Sequence, residues 1–383
     1  MAVATAPPWA RMMVRMPLDV LLTFNPGSST VKLGLFAIDA VTPLAPRALA
    51  RRTVDAAPDA VHRIAEDALQ WARDEAPGAR LVAAGHRVVH GGDRFTGAAA
   101  IDDDTLAAIE ALAPLAPLHQ PQSLRLIRAV QKAAPALAQT ASFDTAFHSS
   151  QCAAARRYAL PRALFDQGIK HYGFHGLSYK FIASQLRRLH PAIAAGRVVV
   201  AHLGSGASLC GLLAGASRDT SMGFSTLDGV PMATRCGALD PGVLLYLLRQ
   251  PGQSIESVED MLYHQAGLLG LSGISGDARA LAASDAPEAR EALAHFTLRI
   301  AREVAAIATT LGGLDALVFT AGIGENRSTV REAVCRHLAW LGVAPEPAAG
   351  KVAVLVMHTD EEQVIAEEAC ALISHSTSNG SSP

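Results

Sequence analysis

Cysteine is scarce and unpaired in this sequence: there are five, an odd number, and no two form a Cys-x-x-Cys pair. That argues against a disulfide framework and for a reducing, cytoplasmic setting. An excess of either charge is also missing. With 33 basic against 35 acidic side chains and a formal net charge of −2, nothing calls for nucleic acid or an anionic membrane as partner. Long apolar runs are absent too. The longest uncharged window, Val198 to Ser217, has the length of a spanning helix, but it carries His202, four glycines and three serines and reads as a buried hairpin. No G-x-x-x-x-G-K-[ST] occurs, so the phosphate loop of P-loop enzymes is excluded.

What is present is length and apolar content. A chain of 383 residues, 50% of them hydrophobic, exceeds one comfortable core, and two domains are expected. The first 17 residues carry arginines but no acids and include Pro7, Pro8 and Pro17. They are expected to be a disordered extension, or to follow a start placed upstream of the true one near Met16. From Leu21 onward, short apolar or β-branched runs alternate with longer helical patterns, the habit of an α/β protein. Strands are expected at Leu21–Phe24, Lys32–Ile38, Leu81–Ala84, Arg197–His202, Ser208–Leu213, Ala316–Thr320 and Val352–Val356. Leu293, Phe296, Ile300, Val304, Ile307 and Leu311 recur three or four residues apart and predict a core-facing helix over Glu288–Leu311.

Two stretches share one design. Leu21 to Phe36 is a strand, a polar Asn25-Pro26-Gly27-Ser28-Ser29-Thr30 turn and a second strand that begins near Lys32. Glycine and small hydroxyl residues let backbone N–H groups approach an anion, and the lysine adds a point charge. About 180 residues later, Val198–His202, a Leu203-Gly204-Ser205-Gly206-Ala207 turn and Ser208–Leu213 repeat it. The pair is either a duplicated phosphate cradle or two ordinary glycine-rich hairpins.

Other residues lie where α/β proteins place their chemistry. Arg87 in Gly85–Gly92 and Arg235 in Met232–Gly237 sit beside glycine turns, where a guanidinium can fork a carboxylate or phosphate, or simply be a structural arginine. Asp144 follows a strand-like Thr140–Phe143 and is either functional or a helix cap. His175 stands among Tyr172, Gly173, Phe174 and Gly176, as a ligand contact or a bonded core histidine. Ala316–Thr320 runs into Gly322-Ile323-Gly324-Glu325-Asn326 and a helical Arg327–Leu338, a strand, turn and helix start suited to a nucleotide but without the third glycine of the dinucleotide fingerprint. Asp277-Ala278-Arg279 and Thr359-Asp360-Glu361-Glu362 add acids that could reach magnesium or ribose, or could cap helices.

In this order the segments resemble the acetate kinase family of the actin-like ATPase superfamily, from about Val20 to Ala371. The matching residues are Asn25–Lys32, Gly85–Gly92, Ala116–His119, Phe143–His148, Tyr172–Gly176, His202–Gly204, Asp219–Phe224, Thr234–Arg235, Leu239–Pro241, Ser272–Asp277, Phe319–Asn326 and Asp360–Glu362. The resemblance implies two duplicated ribonuclease H-like α/β domains around a cleft, residues 18–148 with about 364–376 in one and 149–363 in the other. It implies ATP and magnesium (or manganese), a small carboxylate such as acetate, and a homodimer. By the same resemblance Asn25 and Glu361 are metal-site residues, and Ser28, Thr30, Lys32, His202, Leu203, Gly204, Ser205 and Gly206 are phosphate contacts. Asp277, Ala278, Arg279, Gly322, Ile323, Gly324, Glu325 and Asn326 hold adenosine. Arg87 and Arg235 bind the carboxylate and the moving phosphoryl, Asp144 and His175 join Arg235 as catalytic residues, and Val89, Leu118 and Thr226 line the acyl pocket. A carboxylate substrate is already ionised at neutral pH, so Asp144 is expected to orient metal-bound water or a cation, not to act as a base.

Departures from the family pattern are informative. Ser205 replaces the asparagine of His-Leu-Gly-Asn-Gly, His175-Gly176-Leu177-Ser178-Tyr179 replaces His-Gly-Thr-Ser-His, Gln120-Pro121 replaces Asn-Pro, and Thr226 stands where the family has proline. These keep open a propionate or other short-chain acyl kinase, and a non-catalytic ATP-binding relative. A sugar kinase would need Asp144 as a true base. One methylene is worth only about 1–3 kcal/mol in such a pocket, so acetate and propionate are not separable on these residues.

Overall fold

The computed structural model describes residues 18–27, 30–39, 44–55, 61–117, 119–344 and 351–379. The expected N-terminal extension, Ser28 and Leu118 lie outside the described residues. The first sheet is built from β1 (Asp19–Pro26), β2 (Thr30–Ile38), β3 (Arg47–Asp55), β4 (Arg80–Val88), β5 (Ala99–Ala100) and β6 (Ala138–Phe143), in the order β3-β2-β1-β4-β6-β5. The second contains β7 (Arg197–Leu203), β8 (Ala207–Leu213), β9 (Ala216–Thr220), β10 (Ala316–Thr320) and β11 (Ala353–Val356), in the order β11-β10-β7-β8-β9. In each sheet the first strand opens an antiparallel three-strand meander and has two parallel strands on its other side, to which the first sheet adds β5, antiparallel, at the edge. The architecture is therefore repeated, as the paired turns suggested.

Both sheets are covered on both faces, which is why their central strands read as continuous apolar runs. In the first sheet, Val20, Leu22 and Phe24 pack with Ile64, Trp71, Leu126 and Val130 of the helices Val61–Glu75 and Gln120–Ala133. Leu21, Phe36 and Ala83 face the other way, onto Ala366, Ala369 and Cys370 of the final helix, Glu361–Asn379. In the second sheet, Val199, Ala201, Leu317 and Phe319 meet Phe296, Ile300 and Val304 of the helix Pro287–Leu311. Val198, Val200 and Val318 meet Ile182 and Leu186 of the helix Gly176–Leu189.

Some elements differ from expectation. β3 and β9 add a third strand to each hairpin. β3 carries three arginines and lies mostly exposed, and β9 spans only five residues, so neither shows the apolar signal of a central strand. The expected Gly322–Asn326 turn is instead a short helix, Ala321–Asn326, entered through Ala321 at φ +66°. The uncharged window is the β7–β8 hairpin, and among the described residues no helix is long and apolar enough to cross a membrane. The carboxyl ends of β1, β4, β6, β7, β10 and β11 carry the residues described next, the position at which open α/β sheets bind ligands.

Candidate active site

A cavity of about 540 Å³ lies between the two sheets, lined from the first by Asn25, Gly27, Thr30, Lys32, Arg87, Val89 and Asp144 and from the second by His202, Gly204, Ser205, Gly206, Ala321, Gly322, Glu325 and Asn326. Phe174, His175, Thr226 and Arg235 reach it from loops and helix starts, and His119, His358, Thr359, Glu361 and Glu362 complete the wall.

The first-sheet side is an ion-pair network. Arg87, one residue before the end of β4, forks Asp144: Nε lies 3.0 Å from Oδ1 and Nη2 2.6 Å from Oδ2. Its Nη1 donates to Pro26 O at 3.0 Å and to Asn25 Oδ1 at 3.3 Å. Asn25 Nδ2 in turn donates to Glu361 at 2.9 Å and Glu362 at 2.6 Å, joining the first hairpin to the start of the final helix. Burial opposes ionisation of Glu361, yet Arg87, His202, Asn25 and Lys32 together hold its carboxyl below the usual range. Burial pushes the Asp144 and Glu362 carboxyls upward, against Arg87 and Asn25 respectively. For Arg87 the carboxylates outweigh the cost of burial and the guanidinium stays charged. Lys32 is exposed, directly opposite Asn25 in the β1–β2 register.

The second-sheet side holds neutral imidazoles and one unpaired cation. His175 stacks on His202 with ring centroids 4.5 Å apart. Burial lowers the His202 pKa to about 4 and, with His202, Arg87 and Arg235 nearby, drives that of His175 well below the ordinary value. His119 is lowered to about 4 by burial and the two arginines. His175 occupies the left-handed region, φ 56°, and a Cβ at the following Gly176 would lie 1.9 Å from Asp144 O, so only glycine allows this close passage. Arg235 Nη1 donates to Thr226 O at 2.9 Å, and among the described residues its guanidinium has no carboxylate partner. Burial, with Arg87 a further influence, lowers its pKa. A Cβ on Gly206 would meet Arg235 Nη2 at 3.0 Å and His175 Nε2 at 3.3 Å; these two groups converge on the same side of the second turn. Ser205, exposed at that turn, accepts from Ala233 N–H through its carbonyl.

Several sequence-expected residues stand off the cavity wall. Leu203 turns into the core of the second sheet and Ile323 packs against it, and Gly324 is buried on the inner face of the short helix. Ala278 is also core, while Asp277 caps its own helix and forks Arg279 at the surface. Conversely, the site recruits Phe174, His119, His358, Thr359 and Glu362. All but His358 fall inside segments already singled out, so position within a motif was their only signal.

Two α/β sheets of repeated topology that close on a cleft rich in cationic and neutral nitrogen donors have the architecture of the actin-like ATPases, and the residues gathered there suit phosphoryl transfer. The model of the Acetokinase family matches residues 47–367, and the chain belongs to that family. It is 50% identical over 311 residues, 77% of its length and 78% of the relative's, to an acetate kinase of Rhodopseudomonas palustris. Over 395 aligned residues it is 42% identical to an acetate kinase of Nitrobacter hamburgensis, covering 93% of this chain and 96% of that one. Its structure resembles a propionate kinase from Francisella tularensis, with TM-score 0.80, 34% identity and coverage of 92% and 99%. Porphyromonas gingivalis acetate kinase also matches with TM-score 0.80, at 30% identity over 93% of this chain and all of that one.

Proposed function

We propose that this chain transfers the γ-phosphoryl group of ATP reversibly to the carboxylate of acetate, forming acetyl phosphate and ADP. The observation that carries the reading, beside the family, is Arg235: a half-buried guanidinium on the cavity wall that has no acidic partner among the described residues and converges with neutral His175 on the Cβ side of Gly206. A carboxylate of pKa about 4 is ionised before it binds, so the difficulty is bringing two anions together, not deprotonation. Arg235, Lys32 and the His175 edge supply positive charge or N–H donors, and Arg87, held by Asp144, completes them in a fixed orientation. Thr30, Gly204, Ser205 and Gly206 suit the phosphates, and Gly322, Glu325 and Asn326 the nucleoside end. Val89, Phe174 and Thr226 form the acyl pocket beside His119.

A divalent cation fits the carboxylate corner. Among the described residues no group of three or more His, Cys, Asp or Glu side chains could hold a metal by itself. Magnesium, however, needs only one or two carboxylates, which Glu361 and Glu362 beside Asn25 would supply, with substrate phosphates and waters filling the remaining positions. When bound, it would neutralise phosphate charge. Asp144 acts on this corner through Arg87, since both of its oxygens bond that guanidinium.

The domain division falls near residue 148, with the final helix returning to the first domain, a reading supported by its packing on β1 and β4. The chain is a homodimer in this reading. Support comes from the helix Pro241–Leu248, PGVLLYLL, which buries none of its residues and exposes Val243, Leu245 and Tyr246. Sedimentation equilibrium should give twice the 40.0 kDa chain mass; a monomer at micromolar concentration overturns it. The free state of all five cysteines supports a cytoplasmic setting.

The likeness to a propionate kinase makes a slightly longer acyl group the second reading. Hydroxylamine trapping of the acyl phosphate with acetate, propionate and butyrate decides between them. Acetate should give the highest kcat/KM, and chelation of divalent cations should abolish product. A higher value with propionate selects the second reading, and product from none of the three ends both.

A further inference from the structure

We propose that Tyr179 is a positioning residue that sets the tautomer of His175, so that the imidazole presents an Nε2–H donor to the cleft. The inference rests on the assignment of His175 to the transferring phosphoryl and adds the hydrogen-bond chain that prepares it.

Tyr179 lies four residues beyond His175 on the helix Gly176–Leu189 and is fully buried. Among the described residues, its hydroxyl has one hydrogen-bond partner, Ser208 Oγ on β8. The neighbouring Cys210 thiol is engaged with Ser217 Oγ at 3.4 Å. Burial, and then Cys210, drive the phenol pKa well above its ordinary value, so the phenol keeps its proton. A buried phenol proton requires an acceptor, and Ser208 Oγ is the acceptor within reach.

That fixes the direction of the next bond. Ser208 Oγ has a single proton, and its second contact is His175 Nδ1 at 2.8 Å. Having accepted from Tyr179, the serine donates to Nδ1, because accepting from both would strand its own proton in the core, where Ser208 is fully buried; Nδ1 is therefore bare. The one proton of the neutral ring therefore sits on Nε2. The reverse arrangement, with Nδ1–H donating to Ser208 and Ser208 to Tyr179, would leave the phenol proton buried without a partner. Nε2 is the edge that faces Gly206 and Arg235 Nη2. A bare Nε2 lone pair there would repel an incoming phosphoryl oxygen, and Nε2–H attracts it. His202 is bound separately, its Nδ1 lying 2.8 Å from Ser178 Oγ, which also meets Thr359. The stacked ring therefore leaves the direction of the Tyr179 chain unchanged.

The test is ¹⁵N NMR of histidine-labelled protein without substrates, joined to kinetics. Wild type should show His175 as the Nε2–H tautomer alone. Tyr179→Phe keeps the ring and frees Ser208 to turn; both tautomers should appear, and kcat should fall about tenfold with KM values moving by no more than about twofold. Ser208→Ala should give the same mixture, and the double variant should be no slower than Ser208→Ala alone. A pure Nε2–H ring in Tyr179→Phe, or an Nδ1–H ring in wild type, overturns the proposal. The tautomer is read without turnover. Wild-type kcat in His175→Ala would remove the phosphoryl role of the ring while leaving the chain assignment to stand or fall on its spectra.

Discussion

Arg235→Ala should lower kcat by about 10²–10³-fold, with thermal stability unchanged or raised. The two halves of this expectation share one cause. Arg235 is a half-buried cation on the cleft wall whose guanidinium is answered by a carbonyl, Thr226 O, and by no carboxylate among the described residues. In the free protein such a charge costs folding energy, because desolvation outweighs a neutral acceptor; the lowered Arg235 pKa is the same effect seen in protonation. A carboxylate and a phosphoryl bound in the cleft as proposed would relieve that cost, most of all at the transition state, where negative charge spreads over the equatorial oxygens. Deleting one such fixed donor removes about 2.7–4 kcal/mol of transition-state stabilisation. Steady-state kinetics and a calorimetric scan check both halves. If activity falls only together with a marked loss of stability, Arg235 is a structural arginine.

Asp144→Asn should behave in the opposite way and damage both properties. Asp144 is fully buried, and the Arg87 guanidinium closes a fork on it from a strand 57 positions away in sequence. An asparagine keeps the shape but strands a buried cation, a change that typically costs about 3–5 kcal/mol. Glu361 and Glu362 stand near enough to hold the freed guanidinium, which places the expected loss toward the lower end and swings Arg87 away from its present pose. Turnover should then drop about 10²-fold, because a donor misplaced by an ångström no longer meets its oxygen. Denaturant midpoints and kcat are the measurements. An Asp144→Asn protein of wild-type stability would show that the fork contributes nothing, and one with wild-type turnover would leave Arg87 outside the reaction.

The contrast between these arginines was not legible beforehand. Both sit beside glycine turns and read alike as residues, yet one is paired and the other is not. Pairing depends on what another segment of the chain brings alongside. Asn25 and Glu361 are 336 positions apart and Arg87 and Asp144 are 57 apart, and neither distance leaves a trace in local pattern. The arginine-rich β3 and the five-residue β9 leave no apolar signal in the sequence for a related reason: edge strands are held by ladder bonds to a neighbour and bury little of their own. In sequence Tyr179 is only a departure from the family pattern four residues after His175. In the structure its hydroxyl reaches the same serine as that ring.

The sequence by itself determined the strand–turn–strand units, the long core helix, the exclusion of a P-loop and the family. These follow from local rules, since burial on two faces demands continuous apolar strands and a tight turn between paired strands favours glycine and small polar residues. Tertiary structure alone decided which charges are answered and which are left open, and which imidazole nitrogen faces the cleft. Those are properties of pairs, set only when two sheets and a returning helix exclude water from the same space.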